Sequence, residues 1–186
     1  MKQNESIVMY VLRLAGTLLL ICAVTAGLLA GVNGITAPII AELNAAATQE
    51  AISAVLPGGF DSEITDYAAA SGIVSKVYQG EAGYALEVGP GGFDNTITMM
   101  VGVDNEGKVL GISIVSHTET AGLGAVADAD TPKGIAFREQ FVGTSGSVSV
   151  TKDGGMMDAI TGATITSRAI CVGVNAALDC VAGLLG

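Results

Sequence analysis

The sequence predicts an α+β domain carried behind one N-terminal membrane-spanning helix. Three features predict it. An apolar run without any charge extends from residue 14 to residue 41. Between residues 73 and 115 apolar side chains recur at every second position, the period of a strand. A continuous apolar stretch with helical spacing then closes the chain. Half of the 186 residues are apolar and the mean hydropathy is +0.58. A soluble domain of this length is ordinarily more polar, so a membrane segment is sought first.

That segment is residues 14–32, which as a helix would span about 30 Å, the thickness of a bilayer core. Lys2 and Arg13 flank it on the N-terminal side, opposed only by Glu5. By the positive-inside rule the N-terminus is cytoplasmic and the remainder lies on the other side of the membrane. A cleaved signal peptide is the competing reading, but the run is long for one and no small-x-small cleavage site precedes a polar start. Ile21 before Cys22 does not fit a lipoprotein site. Thr36-Ala37-Pro38 opens a second helical stripe with Pro38 in its first turn. It runs through Ile39, Ile40, Leu43, Ala47, Ala51, Ile52 and Val55 and stops at Leu56-Pro57-Gly58-Gly59. The expected organisation is therefore a tip and transmembrane helix (1–35), a juxtamembrane helix and linker (36–60) and an extracytoplasmic domain (61–186).

Within that domain, strands are expected over residues 73–78, 84–88, 95–103 and 108–115. The last two are joined by Asp104-Asn105-Glu106-Gly107, which has hairpin-turn chemistry. The acids of that turn lack the spacing of a calcium loop. A short helix follows over 131–141, a strand over 147–151, a Gly- and Thr-rich loop over 153–166, and the final helix from Ser167 to about residue 185. Met99 and Met100 alternate on one strand and are expected to pack in the core.

Composition removes several function classes. The formal charge is −10, which disfavours nucleic acid as a partner. His117 is the only histidine, and Cys22, Cys171 and Cys180 form no CxxC pair. A metal centre built by this chain alone is thus not expected. Cys171 and Cys180 are nine residues apart, on opposite sides of one helix, and cannot bridge. No strand-then-GxGxxG unit is present for a dinucleotide. The one span carries no intramembrane acid for ion conduction.

The chemistry is concentrated in Asp158-Ala-Ile-Thr161-Gly162-Ala163-Thr164-Ile165-Thr166-Ser167. Small residues admit a ligand to the backbone, four hydroxyls supply hydrogen bonds, and a following helix points free N–H groups at an anion. The bland alternative is an ordinary helix cap, for which Thr and Ser are common.

Thr161-Gly-Ala-Thr164-Ile-Thr166, preceded by Asp158, resembles the flavinylation motif of FMN-binding domains. Such domains occur in the G subunit of the Rnf electron-transport complex and in the C subunit of the sodium-translocating NADH:quinone reductase. The single N-terminal span, the hairpin over 98–114, His117-Thr-Glu119-Thr120-Ala-Gly122-Leu123-Gly124 and the helix at 137–141 resemble that family in the same order. Two departures stand out: Ala121 replaces a frequent Pro, and Pro90 replaces a frequent Tyr.

The resemblance implies that a dedicated flavin transferase joins FMN through its phosphate to the hydroxyl of Thr166. It implies that Thr161, Gly162, Ala163 and Thr164 surround the attachment point, and that Glu119, Thr120, Gly122 and Leu123 lie against the flavin. A surface loop with glycines for turns is the alternative for the 117–124 segment. Asp158 serves recognition or activation during transfer, or caps the loop. His117 is expected to be a hydrogen-bonded structural residue, and no base is apparent beside Thr166 along the sequence. The implied function is an electron-carrying subunit of an ion-translocating ferredoxin:NAD oxidoreductase complex, with other membrane subunits as partners. It is not catalytic alone. The C subunit of the quinone reductase, a stand-alone flavoprotein module and a non-redox binding module remain as alternatives.

The charge asymmetry about the apolar run generates one prediction. In intact cells, Ser145→Cys is expected to react with a membrane-impermeant maleimide well above the wild-type background. Labelling that appears only after lysis would place the domain inside the cell.

Overall fold

The computed structural model describes residues 2–67 and 72–186. The side chains of residues 2–7, Lys2 and Glu5 among them, lie outside the described part. The chain divides into two compact units, Met1–Ala46 and Ala47–Gly186.

The first unit is helical. It belongs to α1 (Lys2–Val55), whose segment Val8–Val55 is long and apolar enough to cross a membrane. Its apolar side chains have no protein cover: Leu19 and Leu29 are 72% and 71% exposed. In water that would be costly; in lipid it is what a spanning helix needs. The expected start of a new helix at Thr36-Ala37-Pro38 does not occur, and α1 runs through Pro38 without a break. Proline removes one backbone hydrogen bond, the one that would reach the Gly34 carbonyl, and a helix of this length continues past that single loss.

The second unit begins at Ala47, so the last turns of α1 are part of the folded domain. Five strands follow in an antiparallel meander, β1 (Ser62–Ile64), β2 (Val74–Gly80), β3 (Gly83–Val88), β4 (Thr98–Asp104) and β5 (Val109–Ser116), with spatial order equal to chain order. β1 is not among the strands the sequence predicts; at three residues with two polar side chains it is too short to display a period. The β4–β5 turn is held by Asp104, whose Oδ1 accepts from the Glu106 and Lys108 N–H groups at 2.8 Å each, with Gly107 at φ +78°. It is a plain turn, and among the described residues no cluster of His, Cys, Asp and Glu could hold a metal ion.

The sheet is covered on both faces, and strand alternation sorts the two cores. Val77, Leu86, Val88, Met99, Val101 and Val103 belong to one cluster together with Ile170, Val174 and Val181 of α3 (Thr164–Leu185). Tyr78, Ala85 and Met100 belong to the other, with Ala51, Ile52, Val55 and Leu56 at the end of α1. Met99 and Met100 thus pack into opposite cores, each fully buried. α3 is apolar enough to pass for a membrane span, but over half of it is buried in the domain, and it is a core helix. Cys171 and Cys180 are free and buried within it, which pushes the Cys171 thiol up to about 11.

α2 (Pro132–Glu139) starts with Pro132 behind Thr131, whose Oγ1 accepts from the Gly134 N–H at 3.2 Å. The strand expected over 147–151 is reduced to a single parallel bridge between Val150 and Met157. The reason lies in α3. Asn175 stands in for a strand neighbour, its Oδ1 accepting from the Val148 N–H (2.7 Å) and its Nδ2 donating to the Val148 carbonyl (2.9 Å).

With few aromatic side chains, the domain packs by close approach of backbones. Gly102 of β4 pairs with Gly111 of β5, and the two make a flat seat for Val55. A Cβ built on Gly102 would strike the Val55 carbonyl and come within 3.0 Å of its Cβ. Gly102→Ala is therefore expected to lower stability by about 1–3 kcal/mol, an overpacking cost. The check is a thermal melt followed by circular dichroism. A melting temperature equal to wild type would show that α1 does not seat there.

Candidate functional site

The site starts from the way α3 begins. The helix opens at Thr164, three residues earlier than the sequence predicts, so Thr166 sits inside its first turn. Its N-cap is Ala163, and no side chain caps it. The ordinary-cap reading of this hydroxyl-rich stretch therefore does not hold. Ser167 instead stitches the loop to the helix: its Oγ accepts from the Ile160 N–H and donates to the Ala163 carbonyl, both at 3.0 Å. The positive φ of Gly162 (+82°) turns the chain into this start. The first N–H groups of α3, with the helix's partial positive charge, are left for an anion.

A cation is fixed beside them. Arg168 grips Asp153 through two bonds, Nε to Oδ2 at 2.6 Å and Nη2 to Oδ1 at 2.5 Å, which draws the Asp153 carboxyl below the usual carboxylate range. That clamp holds the tight turn Thr151–Asp153 against α3. It brings the Lys152 Nζ to 3.1 Å from the Thr164 Oγ1.

Opposite stands Glu119, from the loop after β5. Its carboxylate is buried and fully engaged. Oε1 accepts from the Phe93 N–H (2.8 Å) and the Asp94 N–H (3.3 Å), and Oε2 accepts from the Thr166 hydroxyl at 2.5 Å. Thr166 is only 2% exposed. The approach depends on glycine. A Cβ on Gly124 would lie 2.5 Å from the Glu119 Oε2 and 2.6 Å from the Thr166 Oγ1, and a Cβ on Gly92 would collide with the Glu119 Oε1. His117 steadies the loop, its Nδ1 accepting from the Glu119 N–H at 3.2 Å while Nε2 lies 3.7 Å from the Asp128 Oδ2. It is hydrogen-bonded, as the sequence leads one to expect.

These elements enclose a cavity of about 270 Å³. Glu119, Thr120 and Leu123 line it from one loop; Gly162, Ala163, Thr164 and Thr166 line it from the other. Gly122 and Thr161 do not. They line a separate, more open hollow of about 500 Å³, where Asp158 also lies. Asp158 is tied by its main chain to Gln140, its N–H donating to Oε1 at 2.7 Å, and it sits in that hollow and not at Thr166.

Two residues at the first cavity are not singled out by the sequence, Lys152 and Phe93, while Ile165 lies inside the motif with no role assigned to it. Lys152 is the one cation in its lining. A lysine in so acidic a chain is the available signal for it, and nothing in local spacing marks Phe93. Phe93, Leu123 and Ile165 are 66%, 42% and 49% exposed, an apolar rim with no protein cover. Pro90 is buried elsewhere, its ring against Gly173 of α3, where a Cβ would lie 3.0 Å from Cγ. This departure from the family pattern thus falls in the core and not in the cavity lining.

The arrangement suits a ligand with a phosphate at one end and a flat apolar ring system at the other. The uncapped helix start, the Lys152 ammonium and the Thr164 hydroxyl are suited to an anionic end, and the apolar rim to a ring. FMN has that form.

Comparison with known proteins agrees. Residues 92–179 match the FMN-binding domain model, which contains both cavity loops, and residues 1–55 match the RnfG N-terminal region. The G subunit of the Na(+)-translocating ferredoxin:NAD(+) oxidoreductase complex of Acetobacterium woodii is 33% identical over 91% of this chain and 90% of its own. The G subunit of the ion-translocating oxidoreductase complex of Methanosarcina acetivorans is 33% identical over 91% of this chain and 94% of its own. That of Vibrio cholerae is 36% identical over 50% of this chain and 46% of its own. An FMN-binding domain behind an N-terminal apolar helix, with this similarity across nearly the full length, makes the chain a member of the RnfG family, the G subunits of Rnf-type ion-translocating oxidoreductase complexes.

Proposed function

We propose that the chain carries electrons within an Rnf-type membrane complex by means of FMN held as a phosphoester on Thr166. The observation that carries this reading is the Thr166 hydroxyl. It lies at the inner wall of a cavity with an apolar rim, in the first turn of an uncapped helix, with a lysine nearby. Bound there, FMN supplies the redox chemistry, taking up and passing on electrons. The chain's own residues hold and orient it. Lys152 and the first N–H groups of α3 balance the phosphate charge. Phe93, Leu123 and Ile165 cover the ring faces that would otherwise meet water.

Covalent attachment fits the dimensions of the site. The cavity is small and open, so it leaves part of the ring at its mouth, where a partner carrier can approach. The same openness would let a loosely held flavin dissociate. An ester bond prevents that loss and leaves the ring free to change oxidation state. The proposed neighbours are the other subunits of the complex, as the names of the A. woodii and M. acetivorans relatives indicate for those proteins. The proposed donors and acceptors are ferredoxin and NAD, named for the A. woodii complex. A separate flavin transferase is the proposed maturation partner. The proposed placement puts the N-terminus in the cytoplasm and the flavin domain on the far side of the membrane.

Intact-mass measurement tests the attachment. Wild-type chain co-expressed with a transferase is expected to gain one FMN phosphoester, and Thr166→Val none. Thr166→Val also leaves the Glu119 Oε2 without its donor, so it is expected to lose about 1–3 kcal/mol of stability while staying folded. An FMN adduct on Thr166→Val would move the acceptor to another hydroxyl. Gly124→Ala sets a Cβ 2.6 Å from the Thr166 Oγ1 and is expected to lower flavin incorporation at least tenfold in the same assay. Full incorporation would mean that the two loops need not approach so closely.

A further inference from the structure

Thr166 and Glu119 are 47 residues apart in sequence and 2.5 Å apart in space, in a buried contact. We infer that Glu119 is the base that takes the proton from the Thr166 Oγ1 when the flavin phosphate is attached. The inference rests on Thr166 as the attachment point.

A threonine hydroxyl is a poor nucleophile unless a base removes its proton in the transition state. Thr166 is 2% exposed and lies in the cavity wall, so the cavity is the approach to its hydroxyl from outside. A base brought by a separate enzyme would have to enter by the same mouth as the phosphate. Glu119 is already inside. Its Oε1 is fixed by the Phe93 and Asp94 N–H groups, which leaves Oε2 aimed at the hydroxyl within proton-transfer reach. Its charge points the same way. A carboxylate repels a phosphate, so it is a poor group for holding FMN and a suitable one for receiving a proton. The charged and titratable groups around it are His117, which accepts from the Glu119 N–H, Asp128 behind the imidazole, Asp94 beside Oε1 and Lys152 across the cavity.

The step balances as a phosphoryl transfer. Condensing FMN itself with a hydroxyl in water would have to expel water, so the donor must be a phosphoanhydride of the flavin nucleotide, of the flavin dinucleotide class. The Thr166 Oγ1 attacks the phosphorus on the flavin side, and the Oγ1–P bond forms as the anhydride P–O bond breaks. The nucleoside monophosphate leaves with that electron pair. The hydroxyl proton passes to the Glu119 Oε2 and from there to solvent at the cavity mouth. Nothing is oxidised or reduced.

The test uses full-length wild type, Glu119→Gln, Glu119→Asp and Thr166→Val, purified from a host without flavin transferase. Each is incubated with transferase and FAD, and the adduct is followed by intact mass against time and pH. Melts run in parallel. Glu119→Gln keeps the shape and an acceptor for the Phe93 N–H. It is expected to hold its melt within a few degrees yet slow transfer by about 10²–10⁴-fold, the usual worth of a general base. Glu119→Asp is expected to fall between. Wild-type transfer is expected to slow as pH falls, and that acid limb is expected to vanish in Glu119→Gln. Transfer at the wild-type rate in Glu119→Gln, or an acid limb identical in the two chains, overturns the assignment. If Glu119→Gln does not fold, Glu119→Asp decides: full rate overturns, slower transfer supports. A wild-type chain that takes no flavin, or an adduct that persists in Thr166→Val, sinks the attachment reading itself, an outcome distinct from the loss of the base alone.

Discussion

The hydrogen bond from Thr166 to Glu119 is the constraint on which the site depends. It is the buried bond that joins the loop after β5 to the first turn of α3, and those two segments are the opposing walls of the cavity. Each end is anchored in something rigid. Thr166 belongs to a 22-residue helix set across the sheet, and Glu119 is pinned by two main-chain N–H groups and by the imidazole of His117. A buried carboxylate needs all its acceptor capacity used. Removal of any of these donors would cost more than one hydrogen bond, because the remaining charge stays buried.

That closeness depends on a composition that looks unpromising for a core. The chain has no tryptophan, and aromatics make up 4% of it, while glycine occurs 26 times. Small residues do here what large ones do elsewhere: they let backbones touch. Gly102 accepts the end of α1 on one sheet face, Gly173 accepts Pro90 and Met99 on the other, and Gly124 admits Glu119 to Thr166. Large apolar contacts then fill what remains, and a fully buried side chain such as Ile170 contributes about 1.5–3 kcal/mol by its removal from water. At the cavity rim, exposed apolar side chains gather beside a cation, where a ligand can supply the missing cover.

Much of the fold was legible because its signals are local. The apolar span, the period-two strands, the Asp104–Gly107 turn and the C-terminal helix each declare themselves within about ten to twenty residues. Legibility failed where a distant partner decided the outcome. Residues 147–151 look like a strand, but their hydrogen bonds go to the Asn175 side chain, 27 residues from Val148. Pro38 looks like a helix start, yet the helix on either side of it absorbs the missing bond. In the site, the motif and the 117–124 segment picked out Thr166, Glu119 and Leu123, while the contact between Thr166 and Glu119, the cation at Thr164 and Phe93 emerge only when folding brings distant segments together. Gly122 and Thr161 share the motif loops but line the second hollow.

Electrostatics ties the proposed attachment to the rest of the molecule. A domain in a chain of net charge −10 is a poor host for a phosphate, and the cavity holds one lysine against one buried glutamate. With phosphate present the local balance is negative, and only the partial charge of the helix start offsets it, a contribution of about 0.3–2 kcal/mol. A covalent ester removes the dependence on affinity altogether, since the linkage holds regardless of the field around it. An acidic surface also exerts a long-range attraction on a positively charged partner face. The proposed tether would make retention of the cofactor independent of the charge of both pocket and surface.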